Sequence, residues 1–261
     1  MNKLLTILSS LMAAFCPVST LAIGFRLPNQ DPVAIARGNA FAATADNPSA
    51  IYYNPAGITQ LEGQNFQFGL YTITVDSRYH SPGGHKSDTD FEIQPVPQFY
   101  YAYSPKESSL SFGIGAFAPY GLGLEWPEDS GFRTLAEEGR IAYVRLAPVV
   151  AWQVLPQLSL AVGPTINGGK AILRRGILKL GDEFKFQGDG IGFGYTGGLL
   201  WTPHSQWSAG VSYHSATDLT FRGHSTAAPY TSREGTDAGL PFPQFVMAGV
   251  SFRPNDRWNV E

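Results

Sequence analysis

Alternation of apolar residues with small polar ones after residue 60 constrains the fold of this chain more than any other feature. In Ser205–Ala216 one face carries Trp207, Ala209, Val211 and Tyr213, and the other carries Ser208, Gly210, Ser212 and His214. A repeat of two residues is the period of a β-strand. The polar face holds mostly Gly, Ser and Thr, which is typical of strands with lipid on one side and a barrel interior on the other.

The same pattern predicts eight strands and the start of a ninth. They cover Gln64–Val75, Phe91–Ser104, Ser109–Ala118, Arg140–Val154, Gln157–Asn167, Gly190–Trp201, Ser205–Ala216 and Gln244–Phe252, with the ninth beginning in Asp256–Glu261. Short turns alternate with the longer polar segments Asp76–Asp90, Pro119–Gly139, Ala171–Gly188 and Thr217–Pro243. Outer-membrane barrels have short turns on one side and long loops outside the cell.

Composition supports this fold class. Only 15% of the residues are charged while 13% are aromatic, and a soluble β-sandwich would carry more charge on its polar faces. Four tryptophans next to the short turns predict an aromatic girdle at the membrane interface: Trp152, Trp201, Trp207 and Trp258. The net charge of −3 gives no reason to expect a nucleic-acid partner. We therefore predict an all-β, antiparallel transmembrane barrel over residues 63–261.

Residues 1–22 have the features of a secretory signal peptide. Lys3 supplies the positive charge, Leu4–Phe15 the apolar core and Thr20-Leu21-Ala22 the cleavage motif of small residues. The mature chain is then expected to begin at Ile23. Cleavage removes Cys16, the single cysteine, and with it any disulfide, zinc or thiol chemistry.

Residues 23–62 form a separate region between the signal and the strands. Asx-Pro pairs open three short segments, at Asp31-Pro32, Asn47-Pro48 and Asn54-Pro55. Asx residues are good N-caps and Pro suits the first helical position, so we expect short helices. The region is too small for a domain and too apolar for a free tail. A helical plug in front of a barrel indicates a gated pore.

These residues resemble the FadL family of outer-membrane transporters, which carry long-chain fatty acids and, in some members, aromatic hydrocarbons. The resemblance rests on Ile23-Gly24-Phe25, the small-residue segment Ala36–Ala45, Asn54-Pro55-Ala56 and Ala118-Pro119-Tyr120-Gly121-Leu122. It implies a barrel of 14 strands with an N-terminal hatch, in the outer membrane of a Gram-negative bacterium. Because the pattern gives only eight or nine strands, we expect the sequence to be a fragment of a longer reading frame.

The resemblance also implies roles in gating. Gly24, Phe25, Asn54, Pro55 and Ala56 correspond to the hatch, whose movement opens a path. A break in the third strand, through which substrate leaves sideways into the bilayer, corresponds to Ala118, Pro119, Tyr120, Gly121 and Gly123. Pro removes a ladder donor and Gly tolerates bends, so such a break is physically sensible. The alternative is an ordinary strand end that continues into a loop.

Three groups of residues are candidates for substrate binding. Capture is expected at Leu122, Leu124, Trp126 and Phe132, unless these side chains simply pack their loop on itself. Phe117, Phe245 and Met247 face the predicted lumen and suit flexible alkyl chains. A buried carboxylate needs a cationic partner, for which Arg140 and Arg145 are the candidates. For the two arginines, the alternative is an ion pair with a carboxylate on another strand.

Catalysis and cofactor binding fit less well. Gly192–Gly197 matches GxGxxG but lies in an alternating strand with no helix after it. His214 lies near Ser212 and Ser215, but no third catalytic group is identifiable. We therefore expect no enzyme, no cofactor and no metal site.

The predicted function is passive transport of hydrophobic substrates, above all long-chain fatty acids. Aromatic hydrocarbon or alkane uptake, and a structural or adhesive barrel, remain as alternatives. The expected partners are the outer-membrane lipid bilayer, hydrophobic small molecules and the barrel assembly machinery. We expect the full-length protein to be a monomer.

Overall fold

Short helices precede the strands in the computed structural model, which describes residues 24–255 and 257–261. Helix α1 spans Pro32–Ala36, helix α2 spans Ala50–Tyr53, and a 3-10 helix spans Pro55–Gln60. As predicted, Asp31 caps α1, accepting a hydrogen bond from the Ala34 N–H. No helix in this part of the chain is long and apolar enough to cross a membrane. The predicted signal peptide lies outside the described residues.

After the helices, the described chain forms antiparallel strands joined by turns and loops. They are β1 (Gly63–Val75), β2 (Arg78–His80), β3 (Lys86–Asp88), β4 (Glu92–Ser104), β5 (Leu110–Phe117), β6 (Gly121–Glu125), β7 (Glu138–Leu155), β8 (Leu158–Arg175), β9 (Glu183–His204), β10 (Trp207–His214), β11 (Thr217–Ala228), β12 (Thr231–Phe242), β13 (Phe245–Asn255) and β14 (Trp258–Val260). One sheet of 12 strands follows the order β1-β4-β5-β7-β8-β9-β10-β13-β14. Strand β6 joins it beside β7, β11 and β12 join it beside β9, and β2 and β3 form a separate hairpin.

The strand prediction is confirmed for all nine members of the main path, but the long segments between them contain further strands. Strands β8 and β9 extend through most of Ala171–Gly188, and β11 and β12 form a hairpin within Thr217–Pro243. The period-two pattern missed them because it detects a strand only where one face is apolar. β12, for example, reads TSREGTDAGLPF and has no apolar face.

The two faces of the sheet differ as the alternation predicts. In β1, Phe66, Phe68 and Leu70 point outward, and Phe68 is 75% exposed. In β10, Ser212 and His214 point inward and are only 1% exposed. Large apolar side chains are unfavourable in water but favourable in lipid, so the outer face suits a membrane. The four tryptophans of the predicted girdle lie on this outer face: Trp152, Trp201, Trp207 and Trp258.

The core lies between the inner face of the sheet and residues 24–62, here called the N-terminal segment. Phe41, Ile51, Tyr52 and Tyr53 of this segment are fully buried against inward-facing residues such as Phe117. Glycines in the wall make room for it. A Cβ at either Gly113 or Gly115 of β5 would lie within about 3.0 Å of the Ile51 side chain.

Candidate functional site

Asn54 connects the N-terminal segment to the wall. Its side-chain NH2 donates to the carbonyl oxygens of Ala42, at 2.8 Å, and Leu199, at 3.0 Å. Its side-chain oxygen accepts a hydrogen bond from the Ala56 N–H, at 3.3 Å. Pro55 opens the 3-10 helix, where an N–H would have no partner anyway. The Asn-Pro-Ala motif therefore fixes the end of the N-terminal segment against β9.

Two glycines of the wall accommodate this motif. A Cβ at Gly198 of β9 would lie 2.3 Å from Oδ1 of Asn54. A Cβ at Gly210 of β10 would lie 2.0 Å from the Ala42 carbonyl oxygen and 2.8 Å from Nδ2 of Asn54. Larger residues at either position would displace the motif. The sequence predicted small inward residues here but gave no sign of what they contact.

The beginning of the N-terminal segment pairs with the chain between β5 and β6. The Leu27 N–H donates to the Pro119 carbonyl at 2.8 Å, and the Gly121 N–H donates to the Phe25 carbonyl at 2.9 Å. Arg26 and Tyr120 lie opposite each other in this short antiparallel bridge. The predicted break at Ala118–Gly123 thus covers the interval between two strands and the first three residues of β6, and the predicted hatch residue Phe25 contacts it directly.

A gap separates β4 from β6 in the outer half of the wall. Strand β4 pairs with β5 only from Phe99 to Tyr103, and β6 pairs with β7 alone. Among the described residues, the stretch Glu92–Gln98 therefore shares no ladder with β6. Pro95 and Pro97 lie in this stretch and lack the N–H groups that a ladder partner would need.

A cavity of about 650 Å³ occupies the gap. Its lining is mainly apolar and comes from the N-terminal segment, β1, β4, β6 and β7, with Leu27, Ile73, Val96, Leu122, Ile141 and Tyr143 among its members. Gly24, Ala118, Tyr120, Gly121, Gly123 and Leu124 also line it. Most of the residues predicted for the lateral opening therefore meet at one apolar cavity.

Polar contacts bridge the gap at its outer end. Arg140 of β7 binds both carboxylate oxygens of Glu92 of β4, at 2.5 and 3.1 Å, and lies 3.4 Å from Glu138. The side chain of Gln94 lies against Gly123 of β6, where a Cβ would overlap its Nε2 at 1.7 Å. Arg140 is thus engaged in the ion pair that the sequence analysis left as the alternative to substrate binding.

Arg145 differs from Arg140 because it is buried and has no carboxylate partner. It is 1% exposed, and the ion pairs of the described residues do not include it. Its Nε donates to Oδ1 of Asn167 at 2.7 Å, and its terminal nitrogens lie 3.3 Å from Nδ1 of His214 and the Tyr143 hydroxyl. The ion-pair alternative therefore does not describe Arg145.

The predicted lumen residues surround Tyr52 of the N-terminal segment. The Phe117 and Tyr52 rings meet edge to face with centroids 5.3 Å apart, and Phe245 stacks on His214 at 4.4 Å. Met247 packs, half-buried, against the same core. None of Phe117, Phe245 and Met247 lines the gap cavity. All three face inward as predicted, but Phe117 and Phe245 contact the N-terminal segment in place of lining the expected open apolar pocket.

The predicted capture residues divide into two pairs. Leu122 and Leu124 belong to β6 and line the gap cavity. Phe132 packs edge to face with Trp126, at a centroid distance of 5.0 Å, and with Tyr79 of the β2–β3 hairpin, at 4.7 Å. Trp126 and Phe132 thus pack one loop against another, which favours the alternative of loop packing. The most exposed apolar side chains of these outer loops are Leu135, Leu178 and Leu180.

Asp182 holds two outer loops together. Its carboxylate accepts backbone N–H groups of Ile177, Leu178 and Lys179 at 2.7 to 2.9 Å, and contacts Arg133 of the neighbouring loop at 3.0 Å. Burial acts to raise the pKa of this carboxyl, but the N–H donors and the guanidinium outweigh it and hold the pKa of Asp182 well below its usual range.

Sequence reasoning missed Arg26, although it named both neighbouring residues, Gly24 and Phe25. The Arg26 guanidinium carbon lies 4.0 Å from the centroid of the Phe245 ring. His214 was considered only as a catalytic residue, whereas the structure places it between Arg145 and the Tyr52 carbonyl. A period-two pattern shows that a position faces inward, but not which inward-facing residues meet across a barrel.

The comparison with protein families decides the class of protein. The sequence model of outer membrane transport proteins, described as OMPP1/FadL/TodX, matches residues 13–261. The chain belongs to the FadL/TodX family. A protein of Neisseria meningitidis serogroup B whose name assigns it to the outer membrane is 31% identical over 134 residues, which is 46% of this chain and 28% of that protein. The chain is therefore an outer-membrane β-barrel protein of a Gram-negative bacterium.

Solved structures of the family share its fold. A FadL homologue of Pseudomonas aeruginosa superimposes with a TM-score of 0.79 at 16% identity, covering 90% of this chain and 67% of that one. The Ralstonia pickettii toluene transporter TbuX gives 0.70 at 20% identity, covering 88% and 70%. The Pseudomonas putida toluene transporter TodX gives 0.66 at 17% identity, covering 87% and 67%. At these identities the likeness is one of fold, and the chain spans about two thirds of each structure.

Proposed function

We propose that this protein moves long-chain fatty acids passively across the outer membrane. The observation that carries the proposal is the apolar cavity between β4 and β6. It lies in the wall of the sheet, and the start of the N-terminal segment forms part of its lining. A structural or adhesive barrel has no need of an apolar cavity at a break in its wall.

The proposed path has four steps. An amphiphile is captured at the outer loops and binds in the lumen. Residues 23–62 act as a hatch. Movement around Phe25 and Asn54 separates the N-terminal segment from the wall. The substrate then leaves sideways through the gap into the bilayer.

We further propose that the barrel assembly machinery inserts the full-length protein as a monomer.

A fatty acid is favoured over a neutral hydrocarbon because of Arg145, which does not line the cavity but contacts the hydroxyl of Tyr143, a residue that does. A buried guanidinium without a carboxylate partner is costly unless an anion compensates its charge. The head group of a fatty acid is such an anion.

Lumen aromatic residues favour a second candidate, aromatic hydrocarbons. The ring centroid of Phe242 lies 5.1 Å from that of Tyr120 and 4.7 Å from that of Tyr143. TbuX and TodX, which share the fold, are toluene transporters.

A reversible cross-link across the gap tests the exit route. The Gln94 side chain lies against Gly123, and the only natural cysteine, Cys16, belongs to the predicted signal peptide. A Gln94→Cys, Gly123→Cys double variant should therefore form a bridge between β4 and β6 on oxidation. Uptake of labelled oleate by cells without a fatty-acid transporter of their own should fall to background and recover on reduction.

The two single variants are the matched controls and should transport oleate under both conditions. Unchanged uptake in the oxidised double variant, with the bridge verified by its gel mobility, would show that substrate does not leave through this gap. Toluene uptake in the same cells separates the two candidate substrates. A protein that takes up toluene and not oleate would favour the aromatic candidate.

A further inference from the structure

Four aromatic rings from four parts of the chain meet at the inner end of the gap cavity. They are Phe25 of the N-terminal segment, Tyr120 of the link between β5 and β6, Tyr143 of β7 and Phe242 of β12. Phe242 contacts the other three. The centroid of its ring is 4.7 Å from that of Tyr143, 5.1 Å from that of Tyr120 and 5.6 Å from that of Phe25. We call these four residues the aromatic septum.

The aromatic septum lies between the gap cavity and the lumen. Tyr120 and Tyr143 line the cavity. On the lumen side, the Tyr143 hydroxyl lies 3.3 Å from a terminal nitrogen of Arg145, which points inward. Tyr120 and Phe242 are each 1% exposed, so their rings close this boundary. A molecule that passes from the lumen to the gap must therefore displace at least one ring of the septum.

Phe242 connects the aromatic septum to the outer hairpin, β11–β12. The outer half of β11, residues 222–228, pairs with β9. The inner half, residues 217–221, pairs with β12 alone among the described strands and lies on the inner face of β9. Gly190 of β9 makes room for it, since a Cβ there would lie 2.5 Å from the Thr220 carbonyl oxygen. The hairpin thus reaches from the outer loops into the lumen, and Phe242 lies at its inner end.

The backbone around Phe242 is held by fewer hydrogen bonds than the backbone around Tyr143. Tyr143 lies within a continuous ladder, opposite Gly169 of β8. Phe242 ends β12 and lies between Pro241 and Pro243, which have no N–H to donate. The bridge between the N-terminal segment and the β5–β6 link fixes the other two rings of the septum. We therefore expect Phe242 to be the ring that moves.

One side-chain hydrogen bond joins the end of the hairpin to the wall beside the gap. The Tyr120 hydroxyl donates to the Pro243 carbonyl oxygen at 2.8 Å. The Phe242 ring itself packs against the other rings of the aromatic septum. An alkyl chain that enters the septum offers the same kind of apolar contact. It can therefore take the place of the Phe242 ring without exposing apolar surface to water.

We propose that Phe242 is a specificity-determining gate between the lumen and the gap, displaced by the chain that is transported. This proposal rests on the proposed function and adds a second gate to the hatch, on a different element of the fold. Displacement of one ring opens a slot about as wide as that ring. An unbranched alkyl chain fits such a slot, whereas a tail of fused rings needs more of the septum to move. The gate therefore selects substrates by the cross-section of their tails.

Uptake of two fatty acids that share a carboxylate and differ in tail bulk tests the proposal. The probes are labelled oleate and a dodecanoate with a terminal pyrene group, given to cells without a fatty-acid transporter of their own. The wild type should take up oleate about tenfold faster or more, since apolar sites discriminate by size to this extent. Phe242→Ala should lose most of this preference by gaining uptake of the pyrene probe. Phe242→Trp should slow the uptake of oleate.

Two controls separate gating from a general loosening of the fold. Phe221→Ala removes another ring of the hairpin, which is also 1% exposed but lies against Gly169, and it should keep the wild-type preference. Phe242→Ala combined with the oxidised Gln94→Cys, Gly123→Cys bridge should take up neither probe, because the wider path still leads through the gap. If Phe242→Ala does not reach the outer membrane, Phe242→Leu should shift the preference in the same direction by a smaller factor.

Each outcome has a distinct meaning. Equal uptake of the two probes by the wild type, or a wild-type preference in both Phe242→Ala and Phe242→Leu, would overturn the gate and leave fatty-acid transport standing. The same loss of preference in Phe221→Ala, or uptake of the pyrene probe that continues after the gap is bridged, would also overturn it. Oleate uptake by the wild type no greater than that of cells without the protein would overturn the proposed function and this proposal together.

Discussion

Two regions of the wall contain prolines, yet only one of them has a gap. Pro148 of β7 and Pro164 of β8 interrupt the ladder between these strands, but pairing continues on both sides, from Leu146 to Ile166 and from Val150 to Val162. Pro95 and Pro97 of β4 border the gap, where no pairing with β6 is found within the described residues. The absence of an N–H donor at a proline is therefore not sufficient to open a gap in the wall.

The two regions differ in how far the neighbouring strand continues its pairing. Strands β8 and β9 stay paired over their whole shared length, from Leu158–Trp201 to Arg175–Phe184. Strand β5 instead ends at Phe117, and the backbone groups of Pro119 and Gly121 bond to the N-terminal segment. At the gap, the N-terminal segment makes the hydrogen bonds with Pro119 and Gly121 that a neighbouring wall strand would otherwise make. That arrangement suits a gate, since the wall can change there without breaking a long ladder.

Among the changes that test this comparison, deletion of residues 24–56 should have the largest effect on flux through the barrel. It removes the pairing partners of Pro119 and Gly121 and exposes the inner face of the sheet. Flux of small polar solutes, measured by liposome swelling, should rise more than in any single-residue variant. A matched deletion in the β11–β12 hairpin, residues 228–231, should leave the flux low. If the flux of the 24–56 deletion stays low, the N-terminal segment is not the hatch.

Replacement of a glycine by alanine, once beside the gap and once in the closed wall, should have an intermediate effect on transport. A Cβ at Gly123 would overlap Nε2 of Gln94, the flexible end of a side chain, so Gln94 must leave the gap. A Cβ at Gly168 of the closed wall would make an ordinary contact, 3.6 Å from Val144. Gly123→Ala should therefore change the initial rate of oleate uptake, whereas Gly168→Ala should not. Equal rates in both variants would show that the Gln94 contact does not restrict the gap.

The Glu92–Arg140 pair should matter less, because both side chains are partly exposed. Exposed ion pairs contribute roughly 0–1 kcal/mol and weaken in salt. Arg140→Met should lower the free energy of unfolding by no more than about 1 kcal/mol. It should also make oleate uptake by vesicles insensitive to salt, if the wild-type rate rises with salt as the pair weakens. A wild-type rate that does not depend on salt would argue against a role of this pair in closing the gap.

The sequence predicts the wall better than the site, for a physical reason. Lipid on one side and the lumen on the other impose a period of two, so the nine strands of the main path are visible in the pattern. The Ala118–Gly123 break is visible because Pro lacks the N–H that a ladder needs and Gly tolerates bends. The pairing of Phe25 and Leu27 with that break joins residues more than 90 positions apart, and no local pattern encodes it. Arg26 is hidden for the same reason.

Acidification should have the smallest effect on transport and should act on the loops above the two wall regions. Asp182, in the loop above the closed wall, contacts Arg133, in the loop beside the gap. Because folding lowers the pKa of Asp182, its contribution to stability is complete above the ordinary carboxyl pKa of about 4 and is lost as the pH falls through the lower folded-state value.

Limited proteolysis at a series of pH values measures this contribution. With an acid-active protease, cleavage between residues 126 and 137 should increase below about pH 3, since protonation removes the carboxylate that binds Arg133. Asp182→Asn should be cleaved readily at neutral pH and should show a weaker pH dependence. Asp129→Asn changes an exposed carboxylate of the 126–137 loop, in which cleavage is measured, and is the matched control. Because the loops lie outside the gap, oleate uptake by Asp182→Asn should stay close to that of the wild type. A large loss of uptake would instead mean that the two loops position the substrate before it reaches the wall.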